Sequence, residues 1–334
     1  MEKTWLKNKK KKFLFVFFLA VILMITVMAC AFFGAVPITL RDIFTHTNRT
    51  IFNLRLQRII LAAVVGGALS VSGLIFQAIL RNPLADPYIL GVSSGGGLGV
   101  VIVMVLGLSV LKLAILTLPL SAFLGSVLTI LLVYRLARIG GRVPVQNLLL
   151  SGVIVGTIFT NILVFIVWFF EDRMTRGVIW WLLGNLDVIE PKLLLSISLL
   201  GIFGTAAGFL FSRELDILSL GEEEATSLGI EVEKTKRTLL FIASLLTAVM
   251  VSVCGIIGFV GLIVPHTLRL ILSNEHRLLI LACFLGGAIF LVISDTFCRT
   301  IILPAEIPIG VITALIGGPL FIFLLQRKKK ILFK

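Results

Sequence analysis

The sequence predicts an all-α fold: a polytopic membrane bundle of about ten transmembrane helices, read as a single domain over residues 1–334. Three observations carry that expectation. Mean hydropathy is +1.12, and 58% of the residues are apolar before the 30 glycines are counted. Soluble domains reach roughly 45–50% with glycine included. Charged residues make up only 14%, too few to cover a water-exposed surface of this size. Apolar runs of bilayer-spanning length also recur along the chain, broken by short charged or Pro/Gly-rich gaps.

The runs lie at 13–36, 59–79, 90–107, 112–134, 146–170, 192–211, 237–254, 256–272, 278–298 and 309–326. The first follows the lysines between Lys7 and Lys12 and resembles a secretory leader. At about 24 residues it is too long for a leader core and reads as a span. The run at 90–107 is rich in glycine. The runs at 237–254 and 256–272 are nearly continuous, and only Gly255 and its neighbours mark a turn. With the N-terminus inside and the spans alternating, 21 of the 30 Lys and Arg residues fall inside and 9 outside. This bias favours an even number of spans and places both termini in the cytoplasm.

The net charge of +13 does not indicate nucleic acid. The basic residues sit at the termini and between apolar runs, with no basic face interleaved with aromatics. Cys30, Cys254, Cys283 and Cys298 are scattered singly and read as small buried side chains. The three histidines, His46, His266 and His276, lack metal-ligand spacing. Gly-Lys never occurs, so the chain carries no phosphate-binding loop of the P-loop type. Gly95-Gly96-Gly97-Leu98-Gly99 lacks dinucleotide spacing and reads as close helix packing in lipid. Asp295 and Arg299 can neutralise each other at i, i+4 spacing. No chain of intramembrane carboxylates or histidines suggests a proton relay.

Three segments stand out. Arg81-Asn82-Pro83-Leu84-Ala85-Asp86-Pro87, followed by Leu90-Gly91-Val92-Ser93-Ser94-Gly95, breaks helix twice. It reads either as an inside loop or as broken backbone held at membrane depth by protein. The longest inside loop, within 212–237, contains Gly221-Glu222-Glu223-Glu224-Ala225-Thr226-Ser227-Leu228-Gly229. Its glutamates favour a helix start, and Gly229 suits a helix end, so a short cytoplasmic helix is expected. Trp180 and Trp181, next to a span, fit a membrane-interface belt or a short surface helix.

Several ordered motifs resemble the FecCD-type permeases, the membrane subunits of bacterial type II ABC importers for iron–siderophores, haem and cobalamin. They begin with Leu54-Arg55-Leu56-Gln57-Arg58 and Gly67-Ala68-Leu69-Ser70-Val71-Ser72-Gly73 with Gln77. Arg81 to Pro87 and Leu90-Gly91 follow. Gly258-Phe259-Val260-Gly261-Leu262-Ile263-Val264-Pro265-His266 with Arg269, and Pro304-Ala305-Glu306-Ile307-Pro308-Ile309-Gly310 with Gly317-Gly318-Pro319, complete the series. Gln57 stands where the family often has proline.

The resemblance implies a permease in the cytoplasmic membrane of a bacterium or archaeon, with a second permease copy, a homodimer being favoured. It implies partner ATPase subunits that hold ATP and Mg, a solute-binding protein docking outside, and no cofactor or catalytic residue on this chain. Gly221, Glu222, Glu223, Ala225, Leu228 and Gly229 fall on the ATPase-coupling loop. Arg55, Arg58 and Arg299 fall where the family meets acidic residues of the binding protein. Gln77, Asn82, Pro83 and Ser93 lie by analogy near the pathway. The expected function is import of an iron–siderophore or related chelate, with haem or cobalamin as the alternative cargo. An ion-coupled secondary transporter is the rival of a different class.

Overall fold

A computed structural model describes residues 9–34, 46–107, 114–170, 172–187, 190–272 and 275–332. In chain order its helices are α1 (Lys9–Phe32), α2 (His46–Ile79), α3 (Val92–Val105), α4 (Ala114–Ala137), α5 (Val145–Phe169), α6 (Asp172–Leu182), α7 (Pro191–Leu210), α8 (Ser212–Leu218), α9 (Glu222–Ser227), α10 (Val232–Cys254), α11 (Val260–Leu272), α12 (His276–Thr300) and α13 (Ile309–Leu332). A 3₁₀ turn, Pro87–Leu90, precedes α3. Among the described residues the only extended pairing is one isolated bridge between Ile139 and Arg142.

Each apolar run read from the sequence falls on one helix: α1 to α5, α7, and α10 to α13. Seven of these helices are long and apolar enough to cross a bilayer, while Val92–Val105, Val260–Leu272 and Ile309–Phe323 are shorter apolar stretches. The boundary near Gly255 is a real break. Gly255 adopts φ 66° and ψ −152°, backbone open to glycine alone, and α11 begins five residues later. The tryptophan pair lies on α6, a short helix between α5 and α7.

The largest boundary difference concerns α2. The sequence reading began this span at residue 59 and left Arg55 and Arg58 in an outer loop. The helix instead starts at His46. The arginines continue it because protein groups replace water around them: Asp295 of the neighbouring α12 accepts from Arg58, and the Phe32 carbonyl accepts from Arg55.

α2 is the axis of the fold. In its most apolar window 89% is buried, against 17% for α1 and for α5. Glycines make this packing possible. A methyl on Gly66 would meet the Gly287 carbonyl of α12, and one on Gly73 would meet the Gly261 carbonyl of α11. Gly95 of α3 similarly faces Gly125 and Thr129 of α4, in keeping with the reading of the glycine run as packing. Lipid offers no hydrophobic drive between helices, so close backbone approach and buried hydroxyl bonds supply the attraction. Ser72 of α2 shows the second device, with its hydroxyl 2.8 Å from the Ala243 carbonyl and 2.7 Å from Thr247 Oγ1 on α10.

The segment between α2 and α3 is broken backbone packed against protein, the second of its two readings. Pro87 and the Leu69 carbonyl both abut Gly261. Leu69 lies ten residues before the end of α2, so the chain climbs back by ~15 Å at 1.5 Å per residue. Its polar groups are satisfied as it climbs. Asn82 Oδ1 accepts from Leu84 N at 2.9 Å, and Asp86 Oδ1 accepts from Tyr88 N at 2.8 Å. The Tyr88 hydroxyl donates to Ile257 O at 3.0 Å and accepts from Ile257 N at 3.1 Å. That pair of bonds seals the backbone break between α10 and α11 and explains why α3 is a short helix starting part-way along α2.

Candidate functional site

The two ends of the bundle carry the polar clusters. At the end that the charge count assigns to the cytoplasm, α8 and α9 form a compact bend between α7 and α10. Glu222, Glu223 and Glu224 fill the first turn of α9, where free N–H groups favour carboxylates. The helix stops through two bonds, Gly229 N to Thr226 O and Ile230 N to Ala225 O, both 3.0 Å. These are the bonds of a Schellman ending, and Gly229 at φ 82° supplies the left-handed residue it requires. Ala225 is fully buried, whereas Leu228 is 61% exposed. The short helix therefore seats one small side chain in the bundle and presents a hydrophobic one outward.

Two contacts at this end were not legible in the sequence. His276, the first residue of α12, donates its backbone N–H to Asp216 Oδ1 of α8 at 2.8 Å, and its Nδ1 lies 2.7 Å from the same oxygen. Lys236 of α10 is buried and reaches Glu222 Oε1 at 3.0 Å. The sixty residues between Asp216 and His276 hide the first contact. The second concerns a lysine that reads in the sequence only as one more inside charge.

At the opposite end the three arginines converge. Arg58 lies 21 residues before the end of α2, ~31 Å along the helix, which is one hydrocarbon thickness. Its Nε donates to Asp295 Oδ1 at 2.8 Å and its Nη1 to Glu306 Oε2 at 2.7 Å. Arg299 Nε donates to Asp295 Oδ2 at 2.9 Å, the i, i+4 pair expected from sequence. Arg55 Nη1 and Arg299 Nη1 each reach a carbonyl at the end of α1, of Phe32 and Phe33, at 3.4 Å. Arg55 and Arg299 are 8% and 6% exposed, and Asp295 is fully buried. Arg58, Asp295 and Arg299 thus form one network directed inward with Arg55 beside it, and Glu306 is its open member, with a side chain 42% exposed.

The residues assigned to the pathway by analogy sit around the re-entrant segment. Gln77 is buried, and its Nε2 donates to the carbonyls of Gly261 and Leu262 at 3.3 and 3.1 Å. Asn82 and Pro83 are half-buried in the turn after α2, and Ser93 is half-buried in the first turn of α3. The most unusual surface belongs to a different helix, α5. Thr157, Thr160 and Asn161 are all exposed in the middle of that apolar helix, and Asn161 Nδ2 bonds its own backbone, Thr157 O at 2.8 Å. An amide facing lipid there is costly. The pattern is visible in sequence as polar residues inside an apolar run, but which face they occupy is not.

Among the described residues no group of His, Cys, Asp or Glu could hold a metal ion, and all four cysteines are free and buried.

Comparison with known proteins agrees with this architecture. The model of the FecCD transport family matches residues 22–327. The hemin transport system permease of Yersinia pestis is 38% identical over 320 residues, covering 94% of this chain and 95% of the relative. The cobalamin import system permease of Halobacterium salinarum is 40% identical, covering 83% and 73%. A solved inward-facing ABC transporter assigned to the metal-chelate type superposes with TM-score 0.84 at 30% identity, over 93% of this chain and 98% of that one. With a family model matched across nearly its whole length and the bundle superposing on a solved member of the class, this chain belongs to the FecCD transport family of ABC importer permeases.

Proposed function

We propose that the chain is the permease of an importer that carries an iron–siderophore or related metal chelate across the cytoplasmic membrane. Both termini lie in the cytoplasm. A partner ATPase holds ATP and Mg and docks on α9, and a solute-binding protein docks at the arginine end. The observation that carries this reading is the construction of α9, a short helix plugged by Ala225 and facing outward through Leu228.

The exposed polar stripe of α5 supports a second permease copy. Thr157, Thr160 and Asn161 would face a water-lined pathway between two copies of this chain, which removes the cost of leaving an amide in lipid. Relatives named for hemin and for cobalamin keep those cargoes as a second reading. Purifying the assembled transporter with its binding protein and recording the absorption spectrum of the bound cargo separates them. A ferric-chelate charge-transfer band is expected, whereas a Soret or corrinoid band transfers the assignment to haem or cobalamin. Uptake into vesicles should require ATP, and uptake driven by an ion gradient alone would overturn the importer reading.

Two substitutions test the ends separately. Valine at Gly229 forces a β-branched residue into the left-handed region at a cost of about 1–2 kcal/mol. A Gly229→Val chain should insert normally but retain less ATPase on purification and transport more slowly. At the other end, Glu306 occupies Arg58, so Glu306→Gln should free that arginine for an acidic partner. Docking of the binding protein is expected to tighten by about two- to fivefold, the scale of one exposed ion pair, measured by titration onto nanodisc-embedded transporter.

A further inference from the structure

Lys236 is the centre of a clamp that joins three separate parts of the chain. Its Nζ donates to Glu222 Oε1 of α9 at 3.0 Å, to Glu233 Oε1 of α10 at 3.2 Å and to Val143 O at 3.1 Å. Three acceptors match the three protons of an ammonium group. The lysine side chain is only 4% exposed, while those of Glu222 and Glu233 are 41% and 35% exposed. The grip on Val143 is double, because its N–H also donates to Glu233 Oε2 at 3.0 Å.

Val143 is the joint between α4 and α5. Before it, Ile139 and Arg142 exchange both backbone bonds, at 2.9 and 3.0 Å, around Gly140 and Gly141, which are both left-handed. A two-residue turn of this kind is stiff and matches a narrow set of geometries. After Val143, Pro144 is the N-cap of α5. No slack separates the clamp from α5. Residues of the clamp also wall a groove of about 1150 Å³ in which Arg138 and Arg142 face Glu222, Glu223 and Thr226.

Building on the proposal that α9 receives the ATPase and α5 lines the pathway, we propose that Lys236 is a positioning residue that transmits displacement of α9 to α5. A shift of α9 pulls Glu222, the ammonium follows its carboxylate, and Val143 moves with the lysine. α5 then moves as one rod because its N-terminus is fixed to Val143 through a proline. Glu233, the second carboxylate on the ammonium, keeps the clamp closed by holding the Val143 N–H.

The test uses the full transporter, permease with its ATPase subunits, in nanodiscs. Asn161→Cys places a reporter thiol on α5. The native cysteines are buried and leave the background low toward a membrane-impermeant maleimide. With Lys236 intact, the labelling rate should differ by about fivefold or more between nucleotide-free and ATP–vanadate states, the usual lower bound of an allosteric coupling. In Lys236→Met, of similar volume and apolar, the protein should assemble because the carboxylates left behind, Glu222 and Glu233, have side chains 41% and 35% exposed and are solvated by water. The labelling ratio should then fall below about twofold, and Lys236→Arg should restore most of it. Glu233→Ala, at a half-exposed site, provides a second route by cutting the Val143 N–H arm and should lower the ratio likewise. A full nucleotide response in both Lys236→Met and Glu233→Ala overturns the relay and leaves the importer reading standing. No response with Lys236 intact overturns the placement of α5 on the pathway, and the relay with it.

Discussion

Asp295→Ala should cost the fold about 3–5 kcal/mol, the scale of removing one partner from a buried charge network. Asp295 is fully buried and receives Arg58 Nε and Arg299 Nε at 2.8 and 2.9 Å on its two oxygens. Without it, Arg299 retains only a long contact to Thr296 Oγ1 and one to a carbonyl, both 3.4 Å. Arg58 keeps Glu306, so the loss concentrates on Arg299. Asp295→Asn preserves shape and one acceptor and should fall between alanine and the native residue. Thermal unfolding of detergent-solubilised protein, followed with a thiol-reactive dye, gives the readout, since every cysteine is buried in the folded state. A change for alanine within about 0.5 kcal/mol of native, the range of ordinary surface substitutions, would show that water reaches the cluster.

That network also changes how Arg55, Arg58 and Arg299 are understood. Motif position alone suggests three side chains held out to a partner. The geometry gives an inward web in which one carboxylate, Glu306, is accessible. A docking protein that brings its own carboxylates would compete with Glu306 for Arg58 and leave Asp295 in place as the anchor. Arg55 lies close enough to Arg299 for their like charges to repel, so added negative charge at this face relieves that repulsion.

Much of the fold was legible because lipid simplifies the code. Ten apolar runs became ten helices. Errors arose where protein replaces lipid or water as the neighbour. α2 continues past Arg58 because α12 supplies Asp295, a partner 237 residues away, and past Arg55 because the end of α1 supplies the Phe32 carbonyl. The re-entrant segment kept two readings because Pro83 and Pro87 break helix equally well in a loop or at depth. What decided between them was Gly261 on a distant helix.

The candidate site divides in the same way. The α9 helix was readable because its start and stop signals are local: glutamates in the first turn and Gly229 at the end. The Lys236 clamp was not, although Glu233 and Lys236 lie three residues apart and pair along one helix face. Its meaning depends on Val143, which a sequence presents only as an apolar residue before a proline. The same holds for Asp216 and His276, which fasten α8 to the foot of α12 and become neighbours only when α7 to α12 are assembled.

Two adjacent glycines on α12 should respond in opposite ways to the same substitution. Alanine at Gly287 drives its methyl into the Gly66 carbonyl and the Ser70 side chain, and Gly66 in turn meets the Gly287 carbonyl. Neither backbone can yield without separating α2 from α12. That separation also stretches the Arg58–Asp295 bond further along the same seam. The gain of about 1 kcal/mol in helix propensity from glycine to alanine offsets only part of an overpacking cost of about 1–3 kcal/mol or more. Gly286 faces the flexible ends of Leu268 and Val264, whose methyls lie 3.1 and 3.2 Å from the place an alanine Cβ would take. Those side chains can turn aside, so Gly286→Ala should be neutral or slightly stabilising. The dye-monitored unfolding midpoint should therefore fall clearly for Gly287→Ala and hold or rise for Gly286→Ala. Equal midpoints would mean that the α2–α12 seam is looser than the carbonyl contact implies.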